Sequence, residues 1–411
     1  MNLLLAIFAA TLLILTLASG WIKERFWGSE ALACLVVGFA IGPMGLGLFA
    51  LDPAQSSLHR NWWEQATRLT VSLSVMSASL TLPRDYFRQR GRPLLIVLGP
   101  GMIAMWAASS LIGWAALGLT LPLALVLGAV LTPTDPVLAR SIVSGRVARR
   151  YVPAQLRNDI TGESGINDGL ALPFVLIAIV IAGHGESLGA TSAKVAWAVF
   201  GAIALGWVLG KGSGWLFRRA HDSGFAETRS LTATTLALSL LVLASVALLK
   251  ADGILAVFVA GVMLNRAMKA EHQRAHEHFV DAVDRSFTLP IFILLGLSAP
   301  VEAWLAMGWP LFLAGCALIL LRRLPPWLAL RTVAPVYDNM RQTLFAGWFG
   351  PMGVAALFYA CLALERTEAS ALWTVTSFVV CLSVLIYGIS ATPLTRLYRT
   401  AKQTGVGRAR S

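Results

Sequence analysis

Apolar stretches of about twenty residues, parted by short polar turns, recur along the whole chain, and the charged residues cluster between the stretches instead of lining one face of each. That pattern describes helices surrounded by lipid. At roughly twenty residues per crossing it predicts about thirteen spans, at 2-20, 31-50, 63-82, 93-118, 121-144, 157-182, 193-217, 229-249, 253-268, 285-300, 308-330, 341-362 and 371-395. The predicted class is an all-α polytopic membrane protein. The first run, Asn2 to Gly20, lacks a basic leader and exceeds the usual length of a signal peptide's apolar region, so it reads as span one.

Loop charge tests the count independently, because a wrong number of spans would place basic residues on both sides of the bilayer. Loops after odd spans carry Lys23 and Arg25; Arg84, Arg88, Arg90 and Arg92; Arg146, Arg149 and Arg150; Arg218 and Arg219; Arg266 with Lys269; and Arg341. Loops after even spans are nearly free of Lys and Arg. The tail continues the pattern with Arg396, Arg399, Lys402, Arg408 and Arg410. The expectation is a multi-pass protein of the cell inner or plasma membrane. Its N-terminus is outside and its C-terminus cytoplasmic, with no soluble domain appended.

Composition narrows the class further. Hydrophobic residues make up 57% before the 36 glycines are counted, and charged residues only 13%. The net charge of +12 raises the possibility of a nucleic-acid binder, but the basic residues sit at alternate span ends and no reader motif accompanies them. The lipid bilayer is the partner this implies, with no nucleic acid and no soluble partner. Cys34, Cys316, Cys361 and Cys381 all lie inside apolar runs without short spacing, which argues against a disulfide framework or a metal knot. Between Lys269 and Arg285, His272, His276 and His278 accompany several acids; this loop reads either as a pH-sensing interfacial helix or, more simply, as a solvated polar loop.

Two spans are interrupted. Span five contains Thr132-Pro133-Thr134-Asp135-Pro136, where two prolines remove backbone donors and crowd the preceding turn. Span twelve contains Gly347-Trp348-Phe349-Gly350-Pro351-Met352-Gly353. Broken backbone at membrane depth survives only when buried in protein or lining a wet cavity. The breaks lie seven spans apart, an odd number, so they enter from opposite sides. Spans four to six and eleven to thirteen therefore read as an inverted repeat with two broken crossing helices, the sequence mark of a secondary transporter's binding site. Proline kinks without a transport role are the plainer reading.

Span six holds the ionisable residues: Glu163, Ser164, Asn167 and Asp168. A charge at this depth costs a few kcal/mol and so usually has a partner or a task. Ser164 and Asp168 share one helix face, Glu163 and Asn167 the adjacent one. Asp168 offers a hard oxygen to either a proton or a small cation, with Ser164 adding a neutral oxygen. Competition at one carboxylate suffices for exchange, and burial disfavours the charged form. The second row reads as bracing, with Glu163 paired to Arg323 of span eleven. Alternatively, Arg322 and Arg323 are orientation charges at the cytoplasmic end before Pro325 and Pro326. Asp135 either offsets an exposed helix N-terminus or binds the ion directly, and Thr134 lends a hydroxyl or carbonyl.

Thr134-Asp135-Pro136-Val137-Leu138-Ala139, followed by Glu163-Ser164-Gly165-Ile166-Asn167-Asp168-Gly169, resembles the signature of the NhaP-type branch of the monovalent cation:proton antiporters, in the cation:proton antiporter-1 family. Gly347-Trp348-Phe349-Gly350-Pro351-Met352-Gly353-Val354, with Phe358-Tyr359 downstream, is similar to the subgroup that includes fungal plasma-membrane Na⁺/H⁺ antiporters. The resemblance implies an alternating-access carrier, a homodimer, of elevator type. The implied division is a scaffold and dimerisation domain (1-92 and 185-306), an ion-transporting core (93-184 and 307-397) and a basic tail (398-411). It implies Na⁺ or Li⁺ held at Asp168, Ser164, Thr134 and Asp135, with Glu163 and Asn167 beside them, at the breaks marked by Pro133, Pro136, Gly350, Pro351 and Gly353. The Asn167-Asp168 pair goes with electroneutral exchange in this branch, whereas Asp-Asp marks electrogenic relatives. Two departures stand out: many relatives carry arginine where this chain has Met352, and the family usually shows one arginine where this chain has Arg322 and Arg323.

The expected function is therefore Na⁺/H⁺ exchange serving sodium tolerance and pH homeostasis. It requires no cofactor and no enzymatic step; the cations and H⁺ are cargo. A K⁺/H⁺ exchanger using the same site is the close rival. An intramembrane aspartyl protease with Asp135 and Asp168 as its dyad is the rival from another class. The prolines flanking Asp135 and the lack of a Gly-x-Gly-Asp motif argue against the protease.

Overall fold

In the computed structural model, residues 2–25, 29–184, 187–223, 231–268 and 284–407 are described, and among them there is helix but no strand. The elements are α1 (Asn2–Arg25), α2 (Glu30–Ile41), α3 (Ser57–Thr81), α4 (Tyr86–Ile96), α5 (Met102–Leu117), α6 (Leu121–Val130) and α7 (Pro136–Val143). They continue as α8 (Gly145–Tyr151), α9 (Ala154–Ile181), α10 (Leu188–Asp222), α11 (Leu231–Leu248) and α12 (Gly253–Ala267). The last six are α13 (Leu289–Leu297), α14 (Val301–Leu321), α15 (Leu324–Val333), α16 (Met340–Trp348), α17 (Val354–Thr367) and α18 (Ser370–Gly407). Five segments are long and apolar enough to cross a membrane unaided: Tyr86–Leu117, Ala154–Ile181, Gly189–Ala220, Val301–Val333 and Ser370–Tyr398.

Each predicted apolar run overlaps helix, with instructive departures. The second run ends early, at Ile41, because Gly42, Pro43, Gly45 and Gly47 follow, and Gly47 adopts φ 62°. The eleventh starts early, at Val301, and bends at Gly308, where φ is 58° ahead of Pro310. Arg88, Arg90 and Arg92, expected in a loop, lie in α4, which passes through a π-helical turn, Val97–Gly101, around Pro100 into α5. The histidine-bearing loop lies outside the described residues.

Helix α9 sits among the others, packed on α3, α6, α7, α10, α12 and α17. Its polar stretch is consequently buried: Asp159, Glu163, Ser164, Asn167 and Asp168 are all inaccessible or nearly so. Close approach is what allows this. A Cβ on Gly169 would lie 2.7 Å from the Leu255 Cβ and 2.8 Å from its Cα, so the first turn of α12 packs directly on the α9 backbone beside Asp168. Gly169→Ala is therefore expected to overpack this seam and destabilise the protein by about 1–3 kcal/mol. Thermal unfolding of the detergent-solubilised protein checks it; an unshifted midpoint would mean that α12 can yield without cost.

Candidate ion-exchange site

The two proline- and glycine-bearing breaks are real gaps between half-helices. α6 stops at Val130 and α7 resumes at Pro136; α16 stops at Trp348 and α17 resumes at Val354. The extended segments cross and touch, the Asp135 amide donating to the Pro351 carbonyl at 2.8 Å. Such a crossing gathers four helix ends, two with unpaired N–H groups and two with unpaired carbonyls.

Asp135 serves both amino ends. Its Oδ1 accepts from the amides of Val137 (2.7 Å) and Leu138 (3.0 Å) at the start of α7, and its Oδ2 accepts from the Val354 amide (2.8 Å) at the start of α17. A negative side chain between two positive helix ends is the favourable arrangement. Of the two sequence readings for Asp135, this geometry displays the N-terminal counter-charge, with both oxygens already accepting bonds. Gly353 makes room for it, since a Cβ there would collide with the Asp135 carboxylate.

The carbonyl ends meet Arg322. Its Nη1 donates to the carbonyls of Leu131, Thr132 (3.0 Å) and Pro133 (3.3 Å), and its Nη2 to that of Gly350. Met352 is fully buried and contributes only its backbone amide, donated to Ser383 Oγ at 2.9 Å.

Thr134, Asn167 and Ser164 form a short polar chain. The Asn167 side-chain amide donates to Thr134 Oγ1 (2.7 Å), its Oδ1 accepts from the Thr134 backbone amide (3.2 Å), and Thr134 Oγ1 donates to Ser164 Oγ (3.2 Å). α9 is thereby pinned to the first break. Asp168 lies one residue further along, 1% exposed, and its backbone carbonyl accepts from the Tyr359 hydroxyl of α17. Its Oδ1 is buried with no hydrogen-bond partner among the described residues. Ser164, one helical turn before Asp168 on the same face of α9, brings a hydroxyl that meets that of Thr134, and oxygens of these kinds are what a small hard cation takes. No group of three or more His, Cys, Asp and Glu converges anywhere among the described residues.

Glu163 and Arg323 are brought together as a bidentate pair, Nη2 to Oε2 at 2.7 Å and Nη1 to Oε1. Arg323 also donates from Nε to the Ala346 carbonyl (2.8 Å) at the end of α16 and stacks on Trp327, 4.2 Å from its ring centre. Both arginines are buried, 1% and 2% exposed, rather than reaching toward an aqueous face.

Sequence reasoning passed over a second pair. Arg90 grips Asp159 through Nε–Oδ1 (3.0 Å) and Nη2–Oδ2 (2.7 Å) and also donates to the Val336 carbonyl (2.9 Å). Asp159, Glu163 and Asn167 repeat every four residues, a spacing that places them in one row along α9, and that was the available signal. A small cleft opens beside Asp159 and Glu163, bordered by Tyr86 and Tyr337. The tyrosine on Asp168 and the carbonyl clamp of Arg322 left no local signature.

Comparison with known proteins places this geometry. The chain is 28% identical to Na⁺/H⁺ antiporter 2 of Zygosaccharomyces rouxii over 92% of its own length and 50% of that protein's. It is 26% identical to the Na⁺/H⁺ antiporter of Saccharomyces cerevisiae over 93% of its length and 42% of that protein's. It thus spans about half the length of these curated relatives. The solved sodium proton antiporter MjNhaP1 of Methanocaldococcus jannaschii superposes with a TM-score of 0.76 at 18% identity, covering 96% of this chain and 98% of that one, so the fold is shared. A family model described as sodium/hydrogen exchanger, transmembrane, matches residues 7–397, and the chain belongs to that family.

Proposed function

We propose that this protein exchanges Na⁺ or Li⁺ for H⁺ by alternating access, the cation and the proton competing for Asp168. The observation that carries this reading is the open Asp168 Oδ1, buried on α9 one helical turn from Ser164, whose hydroxyl meets that of Thr134 at the first break. With the proton in place the carboxyl is neutral; with a monovalent cation in its place the pair is again neutral. One titrating carboxylate therefore carries either load across the membrane at the same net charge, which supports one-for-one, electroneutral exchange. Asp135, with its oxygens committed to two helix ends, supplies fixed charge and, through the adjoining backbone, orientation; Ser164 and Thr134 supply neutral oxygens. Glu163 with Arg323, and Asn167 with Thr134, hold α9 in place. The protein is a transporter and not an enzyme. Nothing in the crossing gives Asp135 the freedom an aspartyl-protease partner needs.

The same reading includes about thirteen spans, with the core in residues 93-184 and 307-397 and the scaffold in 1-92 and 185-306. It also includes a homodimer in the cell inner or plasma membrane, the N-terminus outside, and a role in sodium tolerance and pH homeostasis. Alternating loop charge supports the orientation.

The test is cation-driven proton flux in proteoliposomes under clamped voltage, with Na⁺, Li⁺ and K⁺ supplied in turn. Saturable flux with Na⁺ and Li⁺, independent of voltage, is expected. Flux driven by K⁺ in preference to both would move the assignment to a K⁺/H⁺ exchanger, and voltage-dependent flux would overturn the one-for-one stoichiometry.

A further inference from the structure

Close packing on one side fixes how α10 is turned. A Cβ added to Gly206, Gly210 or Gly214 would lie 2.5 Å from, in turn, the Ala256 carbonyl oxygen, the Ala260 carbonyl oxygen and the Ala267 Cβ, so this four-residue row lies directly on α12. The row one residue later, Trp207, Lys211, Trp215 and Arg219, lies about 100° further round the helix. All four are exposed, Trp207 to 45% and Trp215 to 56%. Each cation sits over the aromatic ring one turn before it. The Lys211 Nζ is 4.6 Å from the centre of the Trp207 ring, and the Arg219 guanidinium carbon is 5.9 Å from that of Trp215. Trp197, nearer the start of α10, instead ties its Nε1 to the Leu249 carbonyl at 2.9 Å.

Lys211 falls inside Gly189–Ala220, a segment long and apolar enough to cross a membrane, and neither it nor Arg219 makes an ion pair among the described residues. A charge facing hydrocarbon is costly, and a long basic side chain lowers that cost by reaching for the headgroup layer. The stretch from Trp207 to Arg219 contains no acid that could meet either cation. A second copy docked two-fold on this face would set Lys211 and Arg219 against the same basic row, which argues for a different occupant. We propose that Trp207, Lys211, Trp215 and Arg219 bind the phosphate-bearing headgroup of an anionic phospholipid in the leaflet at the carboxyl end of α10. The two cations start about 12 Å apart along the helix, a separation that two long side chains close onto one headgroup. The indole rings supply the flat apolar surface and N–H donor that suit the boundary between headgroup and acyl chain. Gly212, beside Lys211, presents no side chain to obstruct the acyl chain.

The experiment follows the thermal unfolding midpoint of the detergent-solubilised protein as phosphatidylglycerol is added, with phosphatidylcholine as the neutral reference and oligomeric state measured on the same samples. Phosphatidylglycerol is expected to raise the midpoint saturably, and phosphatidylcholine to do so far less. Replacing Lys211→Gln and Arg219→Gln together should raise the half-maximal phosphatidylglycerol concentration by about fivefold for each charge removed. Lys211→Arg keeps the charge and should keep the response. Arg88→Gln with Arg92→Gln removes as much charge from exposed positions of α4 and should leave the response in place. A folded Lys211→Gln, Arg219→Gln protein with an unmoved half-maximal concentration overturns the proposal, as does an equal effect of the two phospholipids on the unaltered protein. An equal loss in the Arg88→Gln, Arg92→Gln protein also overturns it, since the attraction would then belong to the basic surface at large. If the α10 double variant changes oligomeric state while its phospholipid response stays, the face is an interface between copies and the proposal falls. Should that variant not fold, the single changes decide: a response weakened by Lys211→Gln and kept by Lys211→Arg supports the site, and an equal response in both overturns it.

Discussion

Asp168→Asn is expected to reduce cation-dependent proton flux to the level of empty liposomes while the protein still folds. Asparagine has nearly the shape of aspartate, and the bond that Asp168 makes to Tyr359 runs through its backbone carbonyl, which the substitution keeps. The Asp168 Oδ1 has no hydrogen-bond partner among the described residues, so no bond to that oxygen is lost, and a neutral amide is easier to bury than a carboxylate. What disappears is the ionisable carboxylate that, on the proposed mechanism, alternates between a proton and a cation. Flux and thermal unfolding should be read on the same preparation. Exchange at an undiminished rate in a folded Asp168→Asn protein would sink the proposed mechanism, whatever else remained of the fold.

The second large effect concerns stability. Glu163 and Arg323 are both buried and pair through two parallel bonds, and Arg323 also ties α16 through the Ala346 carbonyl. Removing one member leaves an uncompensated charge in a dry interior, at a cost on the order of 3–5 kcal/mol. Glu163→Gln or Arg323→Met alone should therefore lower the unfolding midpoint sharply. The double variant should recover much of the loss, because a buried pair replaced as a unit costs far less than a pair broken. A double-mutant cycle on unfolding of the solubilised protein measures the coupling. Additive losses would show that the two side chains do not depend on one another.

The Arg90–Asp159 pair invites no such expectation. Its members are more exposed, 16% and 9% at the side chain, and solvent screening weakens a pair in that position. Its grip on Val336 makes it a local tie between α4, α9 and the chain entering α16.

Much of this molecule is legible in its sequence. The helical class followed from apolar runs that no soluble protein could hide, and the two breaks from Pro133, Pro136, Gly350, Pro351 and Gly353, whose backbone chemistry is local. The polar residues of α9 announced themselves by being charged or amide-bearing inside an apolar run. Helix limits were less legible where a glycine could sit either inside a helix or at its end, as at Gly42 and Gly308.

The sequence by itself thus determined which residues are polar in an apolar setting, where the helices break, and how charge divides between the loops, because each depends on neighbours along the chain. Only the tertiary structure decided which groups meet. Arg322 reaches Leu131 across 191 positions and Arg323 reaches Glu163 across 160, and adjacent arginines of the same chemistry take a backbone clamp in one case and a carboxylate in the other. The physical reason is that burial penalises a charge left unpaired, while the choice among partners belongs to the packing that brings distant segments within reach.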